Sequence, residues 1–566
     1  MARQVQNPFK KEERIPSSMR FGAAAVALLV IAWFLLGGSG TFSGNDGLPA
    51  SSSTSSSSQG QPSRLRSTVL KNKGGVGGAA DDDDGNNQSG SNDEEQQEAY
   101  AGDHNDDHDR PGAKDDDDDK SIRSVSGDEE GALYVGNPNY DRPNEKDDDD
   151  KFPLLDQDQY LDWLRWYYEN LKFGKPPKER RNRGNDKLTK PVLEESLRLG
   201  CDYMAANQKK DSGNFNYQYD FVAKKMDGDD SPVRQAGALW GMTLCFQSQP
   251  TNALYRSSVE LGIAFFKNHT VEGPVPGSRM VQYPGEEESQ SGVNALYGLA
   301  LIDYIRTVRD NNISAWETNP TTIQDLEQEL ATVIRFLKYM QNDDKHFAET
   351  YEFPDEERSL ESSAYYDGET LLCLVKAAKY IEGYADTLIP IIEDAAPVLA
   401  KAYTVDAWKF DEHDSDETKG FYQWSSMVFT EYYYANWKDH EYFGDLVLVL
   451  AHWIIHTHEI LERNANTGYA FEGIISAYRI AETRNHEEAK ADLSYTIDEG
   501  LYKLGSWQVG GPLAHTNDFL VQNPTNEKIA IGGVMNGEDE APLRIDTTQH
   551  QMHAVMMALE TLFEAS

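Results

Sequence analysis

Between Tyr365 and Glu369 the chain reads YYDGE, two aromatic rings and two carboxylates directly ahead of the apolar run TLLCLVKAAKY. Paired carboxyls can share acid and base duties, and aromatic faces can hold the apolar face of a ring-shaped ligand. Acids in a first helical turn also complement the positive end of the helix dipole, so Asp367 and Glu369 have a structural explanation beside the chemical one. Comparable groups open five other apolar runs. They are Arg234 and Gln235; Glu286, Glu287, Glu288 and Asn294; Tyr422, Gln423 and Trp424 with Glu431 deeper; Tyr469 and Glu472; and Arg544, Asp546, Gln549 and His550. Arg234 stands among small apolar residues, where an unpaired cation is costly, so it should meet a buried carboxylate or a ligand anion. His550 and His553 occupy neighbouring turns without a further ligand at metal spacing, and His452, His456 and His458 form a separate group. No metal and no cofactor are expected, and neither a serine triad nor a phosphate loop is suggested.

The elements that must position these residues follow from periodicity. From Phe152 onward, apolar residues recur at helical spacing. A lead-in helix near Leu154 to Leu171 is followed by six pairs. The first members, half polar and half apolar, run Pro191 to Asn207, Asn252 to Lys267, Thr322 to Asn342, Asp386 to Tyr403, His440 to Arg463 and His486 to Leu504. The second members run Ser231 to Gln247, Ser289 to Arg309, Ser362 to Glu382, Gly420 to Trp437, Tyr469 to Arg484 and Asp546 to Phe563. These are rich in Ala, Gly, Leu and Met and poor in charge, as helices with neighbours on several sides must be. The run Tyr432 to Tyr434 cannot all point inward, so one or two rings at most should line a central funnel. Gly532 and Gly533 read as a turn or as a rim loop able to close over a ligand.

Six alternations of a half-exposed helix with a buried one make an all-α ring of six hairpins, an inner circle wrapped by an outer one. With strings such as SPVRQAGAL, YYDGETLLCL, FEGIISAYRIA and RIDTTQHQMHAVMMAL, the region 152–566 resembles the (α/α)6 barrel of the six-hairpin glycosidase-like superfamily. Terpene-cyclase-like and lanthionine-synthetase-like toroids share the helix count, but the Cys/His metal set of the latter is missing. The resemblance implies that the N-terminal turns of the inner helices converge on one rim, where the superfamily's active-site funnel lies. It implies a carbohydrate-active enzyme, a glycoside hydrolase with a carboxylate acid/base pair. Asp367 or Glu369 is expected as one catalytic member and Glu472 or Asp546 as the other. Arg234, Gln235, Tyr365, Tyr366, Trp424, Arg544 and His550 are expected to bind or polarise a carbohydrate substrate. The alternatives are a lyase or epimerase of uronic polysaccharides, with Arg234 on the sugar carboxylate, and a non-catalytic protein that binds glycans or cations.

The first 151 residues differ in kind. Residues 1–20 carry five basic side chains and lead into FGAAAVALLVIAWFLLGG, an uncharged run over 21–38 at the short end for a membrane span. Basic residues on its N-terminal side and the lack of a clear small-residue cleavage site favour an uncleaved signal-anchor over a signal peptide. The protein is therefore expected to be a single-pass type II membrane protein of the secretory pathway, Golgi-like, or of the cell surface, with its bulk lumenal or extracellular. Residues 39–151 are rich in Ser, Gly, Asn and Asp and are expected to form a disordered acidic stem. Strings of acids closed by Lys120 and Lys151 spell an enteropeptidase-type sequence, though a self-repelling spacer is the plainer reading. The formal net charge of −42 argues against nucleic acid and anionic membrane surfaces as partners. Asn87, Asn268 and Asn312 begin glycosylation sequons, whereas Pro524 disqualifies Asn523. The three cysteines, Cys201, Cys245 and Cys373, lie within helical patterns and do not read as a disulfide scaffold.

Overall fold

A computed structural model of the chain describes residues 156–174, 183, 186–313, 321–409 and 413–563. The expected anchor at 21–38, the stem at 39–151 and Asn87 lie outside the described residues. Among the described residues no helix is long and apolar enough to cross a membrane.

The six hairpins are present, and their helices fall within a few residues of the expected bounds. The outer helices are α2 (Lys190–Ala206), α4 (Ala253–Asn268), α6 (Ile323–Tyr339), α8 (Ala385–Lys401), α10 (His440–His456) and α12 (Glu487–Ser506). The inner helices are α3 (Pro232–Ser248), α5 (Ser291–Asp310), α7 (Ala364–Tyr380), α9 (Asp416–Ala435), α11 (Gly468–Thr483) and α14 (Ile545–Ala558), with the short α13 (Asp518–Gln522) in the last connection. Each inner helix packs on the next, and α14 closes the ring against α3. The charge-poor sequences of the inner helices have this cause: they are walled in by two neighbours, an outer helix and the lumen. In α5 every residue from Ser291 to Ile305 is buried. The lead-in helix α1 (Gln157–Asn170) lies outside this ring against α8 and α10, where the Tyr160 hydroxyl donates to the Ala400 carbonyl at 3.0 Å.

Short strands fill the connections at the N-terminal ends of the inner helices. Strand β1 (Gln218–Asp220) pairs antiparallel with both β2 (Lys225–Met226) and β8 (Pro542–Arg544), so the first and last hairpins are laced together. In the same layer β3 (Thr270–Glu272) pairs with β4 (Arg279–Val281), and β5 (Glu288–Gln290), β6 (Thr350–Glu352) and β7 (Glu357–Arg358) form a second three-stranded sheet.

One feature differs from the sequence-based expectation, and two others are narrowed. Cys201 on α2 and Cys245 on α3 form a buried disulfide, with Cα atoms 5.9 Å apart and 44 residues of sequence between them. Helical periodicity hid this pair, because the first hairpin brings together two positions that no local spacing connects. Tyr432, Tyr433 and Tyr434 occupy the last turn of α9, at the end opposite the expected funnel, and none of them lines it. Gly532 and Gly533 make a packed turn against α2. At Gly532, with φ +94°, an added Cβ would collide with the Leu199 carbonyl oxygen, so only glycine fits.

Candidate active site

The crowding of polar groups at the mouths of the inner helices has a repeated structural component. The fourth residue of α3, α5, α7 and α14 accepts a backbone N–H from the connection that leads into its own helix. Gln235 takes Phe215 N at 2.7 Å, Asn294 takes Val281 N at 2.9 Å, Asp367 takes Phe347 N at 2.6 Å and Thr548 takes Val534 N at 3.0 Å. Each side chain is buried, and each fastens a loop that would otherwise hold an unpaired amide.

This assigns Asp367 and Gln235 differently from the sequence-based expectation. The second oxygen of Asp367 accepts from His346 Nδ1 and from the Tyr403 hydroxyl, both at 2.6 Å. A fully buried carboxylate holding three donors fastens the loop, and burial outweighs those donors and pushes its carboxyl above the ordinary value. Gln235 bonds the Phe215 carbonyl and Asp230 as well, which leaves its amide no capacity for a substrate.

Asp546 is also engaged. Arg544 grips it through two bonds of 3.1 and 3.0 Å, and Arg234 Nε lies 3.3 Å from the same carboxylate. The β1–β8 register, Gln218 opposite Arg544, brings this cluster together beside Tyr217, whose hydroxyl meets Arg234. Burial pushes the Asp546 carboxyl up, but Arg544, Arg234 and His550 outweigh it and hold the group below its ordinary value. Arg234 thus has the buried carboxylate expected for it. Asp546 is held between two cations, which favours its charged form.

Two carboxyls remain, and their environments diverge. Glu369 is the sixth residue of α7 and Glu472 the fifth of α11, so both lie about one and a half turns below the N-terminal ends of their parallel helices. Glu369 is 3% exposed and faces Gly292 of α5, where an added Cβ would collide with Glu369 Oε2. Burial alone pushes its carboxyl well above the ordinary value, which favours the protonated form. Glu472 is fully buried, yet its Oε1 is shared by His550 Nδ1 and His553 Nδ1, each at 3.1 Å. Burial raises the Glu472 carboxyl, and the two imidazoles more than reverse that, leaving it lowered. For His550, burial acts downward and Glu472 acts upward, with a net rise. Oε2 of Glu369 and Oε2 of Glu472 are both buried without a hydrogen-bond partner.

Aromatic side chains surround this level of the lumen. Trp240 of α3 and Trp424 of α9 meet from opposite sides of the ring, with centroids 5.9 Å apart, and close the barrel axis. The Trp424 ring lies 6.2 Å from His550, and Trp240 lies 5.1 Å from His553. Tyr366 donates to Gln290 at 3.1 Å, while Tyr365 is 40% exposed above Gly420. The structure therefore gathers Glu369, Glu472, His550, Tyr365, Tyr366 and Trp424 about the upper lumen and places the Arg234, Arg544 and Asp546 cluster on its rim. Trp240 was not singled out from the sequence, and His553 was noted there only beside His550, without a role. His553 carries a signal there, three residues after His550 and so on the same helix face. Among the described residues no group of three His, Cys, Asp or Glu could hold a metal ion.

No protein-family model and no curated protein matches this chain. Solved structures do align with this chain, at low identity. A GH76 α-mannanase of Bacteroides thetaiotaomicron is 11% identical, with a TM-score of 0.42 over 66% of this chain and 96% of its own. A cellobiose 2-epimerase of Bacillus thermoamylovorans is 10% identical, with a TM-score of 0.45 over 65% and 98%. A D-mannose isomerase is 11% identical, with a TM-score of 0.45 over 66% and 98%. At this identity and TM-score, the likeness carries no activity across to this chain.

Proposed function

We propose that the chain is a carbohydrate-active enzyme, a glycoside hydrolase in which Glu369 is the general acid and Glu472 the general base. The observation that carries this reading is the contrast between two buried carboxyls at one depth of the ring, Glu369 against Gly292 with an unpartnered oxygen and pushed up by burial, Glu472 held down by two imidazoles. Environments that push two titratable groups apart assign acid and base. Glu369 would deliver its proton to the glycosidic oxygen as the bond to the anomeric carbon breaks. Glu472, through the oxygen left free by His550 and His553, would take a proton from the water that attacks that carbon. Tyr365, Tyr366 and Trp424 supply faces for sugar rings.

The His550, Glu472 and His553 group favours a second reading, a sugar epimerase or lyase in which an imidazole moves the proton beside a carbonyl.

The test is mass spectrometry of the full-length protein with neutral and uronic oligosaccharides, beside Glu369→Gln and Glu472→Gln. Cleavage with gain of water, lost in both variants, supports the hydrolase. Unsaturated or mass-neutral isomeric products lost in Glu472→Gln alone support the second reading. Glycan binding without product supports a non-catalytic binding protein.

We also propose that the 152–566 region works in a lumenal or extracellular compartment behind the 21–38 anchor and acidic stem. The Cys201–Cys245 disulfide suits an oxidising compartment, and Asn268 and Asn312 are exposed at helix ends, open to glycosylation. A mobility shift on endoglycosidase treatment of the protein from a eukaryotic host, absent in Asn268→Gln/Asn312→Gln, is the expected result.

A further inference from the structure

The opposite mouth of the barrel, where the inner helices end, holds a cavity of about 290 Å³ that the proposed chemistry does not use. Its inner wall is Trp240, Leu372 and His553, and Met427, Met556 and Met557 give a mostly polar lining an apolar side. Three cations line it: Arg306, Lys376 and Arg479. Lys376 Nζ and Arg306 both bind the fully buried Asp303, at 2.6 and 3.0 Å, and Trp240 Nε1 donates to the same carboxylate at 2.9 Å. One buried anion thus answers two cations and leaves a positive charge at the wall. Arg479 makes no ion pair among the described residues and lies over the Tyr434 ring at 5.3 Å. Of the lining carboxylates, Glu431 is already held by Lys379 at 2.6 Å and by the Tyr380 hydroxyl at 2.7 Å, and Glu560 is exposed at the lip.

A further group points to a ligand. Thr430 is 3% exposed, lines the cavity, and has a buried hydroxyl without a hydrogen-bond partner. A buried hydroxyl left unpaired carries a desolvation penalty that a bound molecule would relieve. Gln247 adds an amide on the same walls, and the Ser248 and Ser476 hydroxyls, which donate to the Cys245 and Glu472 carbonyls, add acceptors. An uncancelled cationic wall in a chain of net charge −42 selects for anions locally against the field of the whole molecule.

We infer that this C-terminal mouth is a second ligand site, for a monosaccharide-sized carboxylate such as a sugar acid. The carboxylate meets Arg306, Lys376 and Arg479, Thr430 and Ser476 meet hydroxyls, and the methionines and Trp240 cover the carbon skeleton. The inference rests on this cavity alone and stands apart from the chemistry proposed for Glu369 and Glu472.

The experiment is calorimetric titration of the full-length protein with glucuronate and with glucose as the neutral control. Arg479→Gln removes an exposed cation and Thr430→Val an unpaired hydroxyl, so neither should impair folding. Glu369→Gln reports on the opposite mouth. Saturable glucuronate binding, weakened about tenfold by Arg479→Gln and severalfold by Thr430→Val, and unchanged in Glu369→Gln, is expected, with glucose at least tenfold weaker. No glucuronate binding, equal binding of glucose, or binding indifferent to Arg479→Gln and Thr430→Val would overturn the inference. Loss of binding in Glu369→Gln would overturn it as well, by moving the site to the N-terminal rim.

Discussion

The mouths of α7 and α11 carry the same kind of residue at the same depth, and the barrel treats them in opposite ways. On α7, Asp367 is saturated by three donors, while Glu369, two residues on, meets Gly292 and no ionic partner. On α11, Glu472 is as buried as Glu369 but sits between two imidazoles from α14. Burial alone therefore does not decide protonation. The neighbouring helix decides it, by presenting a glycine in one place and two histidines in the other. The comparison also sets two carboxyls apart within one helical turn, because Asp367 holds a loop through three donors and Glu369 has an oxygen with none.

The largest effect that sharpens this contrast is expected from Glu369→Gln. On the hydrolase reading it lowers kcat by about a hundredfold to ten-thousandfold, the usual contribution of a positioned acid, with the fold intact. A variant with wild-type kcat would remove Glu369 from the mechanism. Asp367→Asn, in contrast, keeps an acceptor for Phe347 N and should leave kcat within a few-fold of wild type.

Asp367→Ala should act on stability. It strands the Phe347 amide, His346 and the Tyr403 hydroxyl in the interior, at about 1–3 kcal/mol for each unsatisfied buried group. Chemical denaturation should then show a loss of roughly 3 kcal/mol or more, and an unchanged midpoint would mean the loop is held by other contacts. Replacing Cys201 and Cys245 with serine is expected to cost about 2–4 kcal/mol by releasing a long loop in the unfolded chain. Reducing agent should reproduce that shift in the wild type and not in the double variant.

The smallest effect is in the pH dependence of stability, where the two glutamates differ in sign. Glu369 has a folded-state pKa above its unfolded value of about 4.3. The folded protein therefore holds a proton that the unfolded chain releases. Its contribution is fully present below that unfolded value and is lost as pH rises toward the folded one. Glu472 is lowered, so its contribution is present above about pH 4.3 and is lost as pH falls through its folded pKa. His550 is raised, and its contribution is complete below about pH 6.5 and fades as pH rises through its folded pKa. Glu369→Gln should flatten the decline of Tm as pH rises above about 4.3, whereas Glu472→Gln should flatten the fall of Tm on the acid side, from a lower plateau. Parallel Tm curves for wild type and Glu369→Gln would show that Glu369 is not held neutral.

Much of this molecule is legible in its amino-acid order. Strings such as SPVRQAGALWGMTLC and SGVNALYGLALIDY lack charge because both sides of an inner helix are walled in, and that alone marks the inner circle and its six-fold count. The polar mouths are legible as well, since their residue types contrast so sharply with the helix bodies. Their division of labour is not. That Gln235, Asn294, Asp367 and Thr548 share one fastening role depends on loop amides such as Phe347 N, 20 residues away in sequence. Asp546 needs Arg234, brought to it by closure of the ring.

The sequence by itself determined where helices run, which of them are buried and which residue types stand at their N-terminal ends, because those follow from local periodicity and side-chain polarity. The tertiary structure alone decided which carboxyl is buried against a glycine, which is shared by two imidazoles and which fastens a loop, and that Cys201 bonds Cys245. Charge state and bonding depend on what lies within a few ångströms across the ring, where His553 reaches Glu472 over 81 residues of chain. No local pattern encodes such a contact.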